Sequence, residues 1–234
     1  MKFYSQALFT SLLLVALYGC VGSTQNNTNT LTIKTFLDSI ERTARPGDVV
    51  FRMGDDLISS QIKNINDSDF SYSHTGVVIM HEGKKTVAHI APEETGADTI
   101  QYIPIASFLD TAKNLSGALY RYSLDSTEIT ALQEQIALYK QKDIRFDRVY
   151  ELQTDDKLYC SEMIAKALAI ATHDRIAIKQ SFIPKRMQRL MTAFFKKQGA
   201  TPKLISEYKI ITLDNLYRHP ACHLVMNFPL KNTN

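Results

Sequence analysis

Apolar and polar positions alternate along the chain in blocks short enough to define elements. Leu31–Arg42 predicts a short helix, closed by the turn Arg45-Pro46-Gly47-Asp48, where Pro and Gly stand in sequence. Val49-Val50-Phe51 predicts a buried strand. Thr75–Met80 and Thr86–Ile90 predict two more, joined as a hairpin through His81-Glu82-Gly83-Lys84-Lys85, and Ala118–Tyr122 predicts another. Ile129, Leu132, Ile136 and Tyr139 fall on one face of a helix with Ser126 as its N-cap. Tyr159–Ala171 is apolar nearly all round, which predicts a central helix. Tyr208–Leu213 and Cys222–Asn227 predict closing strands. Strands dominate between two ends of helix, an α+β pattern.

One stretch departs from the rest in charge. From Arg175 to Ser206 there are eight Lys or Arg residues and no Asp or Glu. Within it, Met187, Leu190, Met191, Phe194 and Phe195 share one helical face, and Lys185, Arg186, Arg189, Lys196 and Lys197 take much of the remainder. Such a helix (residues 185–197) packs its Met and Phe onto a domain and solvates its charges. The same basic side also suits a membrane surface or an anionic substrate, and the two readings are compatible.

The amino terminus adds a location. Met1-Lys2 precedes the eleven-residue apolar run Ala7–Leu17, too short for a bilayer core, which needs roughly 20 helical residues, and suited to a cleavable export signal. Leu17-Tyr18-Gly19-Cys20 resembles the bacterial lipobox, with Cys20 as the acylated first residue of a lipoprotein; a plain secreted protein cut nearby is the other reading. Val21 after the cysteine permits, by analogy with lipoproteins, sorting to the outer membrane, facing the periplasm. Gly22–Thr30 is rich in Ser, Thr, Asn and Gln and reads as a tether. The expected organisation is therefore a signal peptide over 1–19, a tether over 20–30 and one domain over 31–234.

The whole chain has 234 residues, 44% hydrophobic and 22% charged, the composition of a globular protein rather than a collagen-like, disordered or multi-pass membrane one. Its net charge of +3 falls to +2 without Lys2 and gives no reason to expect nucleic acid as a partner. Three cysteines are too few for a disulfide scaffold.

The chemistry-bearing residues are cysteines and histidines. Cys160 opens the apolar helix in Leu158-Tyr159-Cys160-Ser161-Glu162-Met163. A thiolate is the reactive form of cysteine, and a helix N-terminus favours negative charge, so the position is expected to lower the thiol pKa from about 8.5. His74, in Tyr72-Ser73-His74-Thr75-Gly76, opens a strand rigid enough to hold an imidazole against a thiol. A third group is then needed to orient the ring, and His89 lies one hairpin away. Alternatives stand beside this set. A buried cysteine is often an inert hydrophobe, Cys222 lies between His219 and His223, and Cys160 and Cys222 could pair as a disulfide in an oxidising compartment. No His/Cys pair has short zinc-site spacing, so no metal or other cofactor is expected.

Taken together, Arg45–Phe51, Tyr72–Gly76 and Asp155-Asp156-Lys157-Leu158-Tyr159-Cys160-Ser161-Glu162 resemble the YiiX/YebB-like group of circularly permuted NlpC-like, papain-like cysteine hydrolases. The similarity runs in order from about Pro46 to Phe228 and includes Ile211–Tyr217. The resemblance implies an antiparallel sheet packed against helices, with the nucleophile at a helix N-terminus and histidine preceding cysteine along the chain. It implies Cys160 and His74 as the catalytic pair of an amidase or peptidase working through a thioester. The group commonly carries a glutamate where His89 stands; related papain-like families accept histidine there, and Glu93 or Glu94 would serve if the register slipped. Tyr72 or Ser73 is a candidate second donor to the oxyanion, beside the Cys160 N–H. Expected substrates are a small molecule, a peptide (peptidoglycan by location) or a lipid amide. The alternatives are a lipid-directed hydrolase or acyltransferase, and a non-catalytic binding module.

Overall fold

The computed structural model describes residues 24–92, 98–200 and 204–231, with side chains of the first helix described from residue 32. The export signal, Cys20, and Glu93 and Glu94 lie outside the described residues. The elements in order are α1 (Thr24–Thr43), β1 (Val49–Gly54), α2 (Leu57–Ile62), β2 (His74–His81), β3 (Lys84–His89), β4 (Gln101–Pro104), α3 (Ile105–Phe108), β5 (Asn114–Tyr122), α4 (Ser126–Gln141), β6 (Arg145–Phe146), β7 (Lys157–Leu158), α5 (Cys160–Ala171), β8 (Ser181–Phe182), α6 (Lys185–Lys197), β9 (Lys209–Ile210), α7 (Leu213–Tyr217) and β10 (Cys222–Pro229).

Six strands form an antiparallel sheet in the order β10-β5-β1-β2-β3-β4. It is covered on both faces, which is why β1 is buried at every position and carries no polar alternation. On one face Val49, Phe51, Val77, Ala88 and Ala118 pack with Leu132 and Ile136 of α4 and with Met163, Ile164 and Leu168 of α5. On the other, Val50, Val78, Val87 and Leu119 meet Phe36 and Ile40 of α1 and Ile105 and Phe108 at α3. The α+β reading and the antiparallel sheet against helices are thus the observed architecture.

The turn into β1 is fixed by chemistry legible in its residues. Gly47 has φ 89°, in the left-handed region. The buried Asp48 carboxylate accepts two bonds from Arg121, each 2.7 Å, and one from the Arg45 N–H at 2.8 Å. A charge-assisted fork of this kind ties the start of β1 to β5.

The structure corrects several element boundaries. Helix α1 begins at Thr24, within the segment read as a tether, because a helix anchored by Phe36 and Ile40 gains one hydrogen bond for each residue it adds. The N-cap of α4 is Asp125, not Ser126: its carboxylate accepts from the N–H groups of Thr127 and Glu128, and Glu128 returns the bond to Asp125 N–H. The run read as a strand over Tyr208–Leu213 pairs only at Lys209–Ile210, then turns into α7. That turn carries Asp214 to the loop before β2, where its carboxylate accepts from the N–H groups of Asp67, Ser68 and Asp69.

Helix α6 spans the residues expected for the basic helix. Met187, Met191 and Phe195 are buried in a small cluster with Ile65, Ile183 and Ile210, while Lys185, Arg186, Arg189, Lys196 and Lys197 are on the solvent side. Among the described residues, no helix is long and apolar enough to cross a membrane.

Candidate active site

The N-terminus of α5 is pinned on three sides. The Tyr159 hydroxyl accepts from Ile211 N–H at 2.6 Å, and Ser161 Oγ donates to Ile211 O at 2.7 Å. The fully buried Glu162 accepts from Tyr159 N–H at 3.3 Å and pairs with Lys166 at 2.9 Å. Burial pushes the Glu162 carboxyl up to about 7 despite that lysine. Cys160, the first residue of the helix, is a partly buried free thiol.

Backbone N–H groups of Thr75, Ser161 and Cys160 itself favour a thiolate at this sulfur, as does the charge of Arg52. Burial opposes all four and is the larger effect, so the thiol is pushed up to about 11. This reverses the lowered value expected from the helix N-terminus. The dipole and N–H groups act as expected, but removing a charge from water costs more than they return in the resting geometry.

The contact with Thr75 N–H brings Cys160 to the start of β2, where His74 is the preceding residue. His74 Nε2 lies 3.1 Å from His89 Nδ1, with the two rings nearly perpendicular at 83°. Phe108 underlies both: it stacks on His74 at 5.6 Å between centroids and meets His89 edge-on at 5.3 Å. Burial, followed by the nearby Arg52 charge, holds His74 well below the usual imidazole range and His89 at about 3. Both rings are therefore neutral at pH 7. With the His74 proton on Nε2 and donated to His89 Nδ1, His74 Nδ1 is left as an acceptor, the tautomer a base toward a thiol requires.

Gly76 allows this pairing. The β2–β3 register, carried one step past Val77↔Ala88, sets Gly76 opposite His89. A Cβ there would lie 2.4 Å from Val87 Cγ1 and 3.0 Å from His89 Cβ.

Two of the expected site residues serve other ends. Tyr72 is buried in an aromatic cluster with Phe51, Tyr120 and Tyr217, and its hydroxyl is engaged with Tyr120. Ser73 Oγ accepts from Gly54 N–H at 3.1 Å, joining β2 to β1. Both hydroxyls are spent on packing and strand pairing, so the oxyanion donors at hand are the backbone N–H groups around the thiol. The rival cysteine is also accounted for. Cys222 is a free thiol beside Tyr122, pushed up to about 12 by burial, and His219 Nδ1 accepts from Ala221 N–H at 3.1 Å. Neither the Cys160–Cys222 disulfide nor a Cys222–His dyad forms.

The residue that sequence reasoning passes over is Arg52. It pairs with His74 across β1 and β2, donates from Nη1 to Phe108 O at 3.3 Å, and sets its guanidinium carbon 4.7 Å from the Phe108 ring centre. It is 8% exposed, and burial holds its pKa down at about 10. A signal is present: the apolar run that predicts a buried strand continues Val49-Val50-Phe51-Arg52-Met53, so a charge stands where none is expected. Tyr150 also escapes; its backbone sits at φ 57°, held by a loop in which the buried Asp147 accepts from Val149 and Glu151 N–H.

Residues 43–226 match the model of the permuted papain-like amidase family, YaeF/YiiX, C92. No curated protein matches at a significant level. Among solved structures, the chain is similar to the metalloprotein yiiX from Escherichia coli O157:H7, with TM-score 0.63, 20% identity, and coverage of 79% of this chain and 97% of that one. The name of that protein implies a metal, but among the described residues of this chain no three His, Cys, Asp or Glu side chains are grouped to hold one. The chain thus belongs to the permuted papain-like amidases, and is a cysteine hydrolase of amidase type.

Proposed function

We propose that Cys160 is the nucleophile and His74 the general base of an amide hydrolase, with His89 orienting the His74 ring. The observation that carries this reading is the 3.1 Å His74–His89 contact on the strand whose next N–H, that of Thr75, meets the Cys160 sulfur. The S–H proton passes to His74 Nδ1 as sulfur bonds to the carbonyl carbon. The carbonyl electron pair moves to oxygen, which faces the N–H groups at the start of α5. On collapse the C–N bond breaks and His74 returns its proton to the leaving amine. Water, deprotonated by the same ring, then hydrolyses the thioester and restores the thiol.

The lipobox-like Cys20 supports an envelope location for this activity, as a lipid-anchored protein, which makes cell-wall peptide bonds the first substrate class. A second reading, lipid amides, is favoured by α6: Leu190 is 44% exposed among the five cations, and Phe182, 53% exposed, lies under Lys209 Nζ at 5.3 Å. The test is release of new amines from purified cell wall and, in parallel, from N-acyl lipids in anionic vesicles. Cys160→Ala is expected to abolish turnover and His74→Ala to reduce it at least ~100-fold, with circular dichroism unchanged. Undiminished turnover by Cys160→Ala would remove the mechanism.

A further inference from the structure

Single exposed apolar side chains are ordinary on a protein surface, whereas a concentration of them beside charge of one sign is not. Among the described residues ten large apolar side chains are exposed, and six of them belong to segments that pack around the small cluster under α6. Leu57 and Ile58, 83% and 74% exposed, lie on α2, whose Ile62 joins that cluster. Phe182 and Leu204 each precede a member of it, Ile183 and Ile205, and Leu190 lies on α6 itself. Phe70 is tied to the helix through Arg186, whose guanidinium carbon is 4.8 Å from the ring centre. The cations stand among these side chains. Arg186, Arg189, Leu190, Ala193, Lys196 and Lys197 are all exposed and recur at helical spacing, opposite the buried Met187, Met191 and Phe195.

Helix α6 also differs from other helices of the chain in how its charges are answered. Helix α1 pairs Lys34 with Asp38, and α5 pairs Glu162 with Lys166. Helix α6 holds five cations and no acid, and among the described residues none of the five enters an ion pair. The acids of the adjacent loop are engaged elsewhere, Asp67 by Lys179 and Asp69 by Ser71 and Arg218. A cationic stripe with apolar tips suits a surface that is anionic outside and apolar just beneath, and the interface of a lipid bilayer is both. We propose that this side of the molecule, formed by α6, Phe182, Phe70 and the Leu57-Ile58 pair, docks on an anionic lipid bilayer. The cations meet headgroups and the apolar side chains enter between them. Tyr150 packs on Phe194 and Phe195 of α6, at 6.3 and 6.5 Å between centroids, and at 4.8 Å on Tyr159, the residue before Cys160. The docked face is thus one ring away from the start of α5. Docking needs no turnover, so it stands or falls apart from the proposed function.

The experiment is flotation of the full chain, carrying Cys20→Ser so that no acyl anchor forms, with vesicles of phosphatidylcholine alone or with about 30% phosphatidylglycerol. Any contribution of the apolar run 7–17 is common to all variants and is read by the neutral vesicles. Binding is expected with the anionic vesicles at about 0.1 M salt, and is expected to fall at least ~tenfold at about 1 M, where screening is nearly complete. Arg189→Gln, Lys196→Gln and Lys197→Gln together are expected to weaken it about 100-fold, at roughly fivefold per cation. Lys84→Gln, Lys113→Gln and Lys142→Gln together remove the same charge from exposed positions outside this face, and are expected to leave binding near that of the parent chain. Leu190→Ser is expected to weaken it about tenfold. Equal losses in the two triple variants overturn the proposal, as does equal binding to the two kinds of vesicle or binding indifferent to salt. Capture of heparin through α6 without binding to vesicles assigns the stripe to a soluble polyanion and overturns it as well.

Discussion

In the proposed site His89, 3.1 Å from His74 Nε2, stands where a carboxylate would accept the His74 proton, and it does so without a charge of its own. It can therefore fix the His74 ring and its tautomer but lend little to an imidazolium, which makes geometry its main contribution. Gly76 is where that geometry is most exposed to change. A methyl at this position must displace Val87 or His89, because the backbone Ala88 O, 2.9 Å away, closes the remaining side. Gly76→Ala is expected to reduce kcat about 10–100-fold, with a smaller effect on KM, and to cost on the order of 1–3 kcal/mol of stability. Steady-state kinetics with urea unfolding check this, and full turnover would contradict it. Residue types and chain order are what single out Cys160, His74 and His89 as candidates in the sequence. Arg52 and Phe108 are not, because their part in the site comes from cross-strand pairing and from a ring supplied well downstream in sequence. The direction of the thiol pKa shift escapes sequence for the same reason: a helix N-terminus is local and visible there, whereas burial is set by the whole packing around it.

Helix α5 shows how one element can be read correctly and yet hide its energetics. Its apolar composition locates it to within a residue at the N-terminus, since a helix buried over most of its surface needs little polar face. The cost lies in Glu162, an acid sealed inside at the helix start. Its pKa stands near 7 in the folded chain against an ordinary value of 4.5. The folded state thus binds the proton more tightly than the unfolded one. The stability this gives is complete at low pH and is lost as pH rises from about 4.5 to about 7. Glu162→Gln keeps the acceptor for Tyr159 N–H and removes the titration. The difference in unfolding free energy between the unaltered chain and this variant is expected to move toward the variant by on the order of 1–3 kcal/mol across that window. A constant difference in urea unfolding at pH 4.5 and 7.5 would contradict this. The elements that escape sequence reasoning, α2, β4, α3, β6, β7, β8 and α7, are six residues or fewer, too short for a periodicity to declare itself.

At the scale of the molecule, the sheet serves as a partition, with the two halves of the proposed site supplied from opposite sides. Cys160 comes from α5 on one face; His74 and His89 stack on Phe108, which belongs to the core of the other. The contact of Cys160 with Thr75 N–H, next to His74, links the two at the start of β2. Loop 66–69, which leads into that end, is fastened to Asp214 and Leu213 near the other end of the chain. The site is therefore assembled only when segments distant in sequence have packed, which explains why its parts can be named from sequence but their distances cannot. The experiment that bears on the whole assembly is acid-quenched mass spectrometry of the full chain after mixing with p-nitrophenyl acetate, an activated acyl donor. A single acetyl group is expected on Cys160 as a hydroxylamine-labile thioester, formed at least ~tenfold more slowly in His74→Ala and absent in Cys160→Ala. Acetylation mapped to Cys222 instead, or p-nitrophenol released with no adduct passing through Cys160, would contradict a thiol at the start of α5 as the nucleophile.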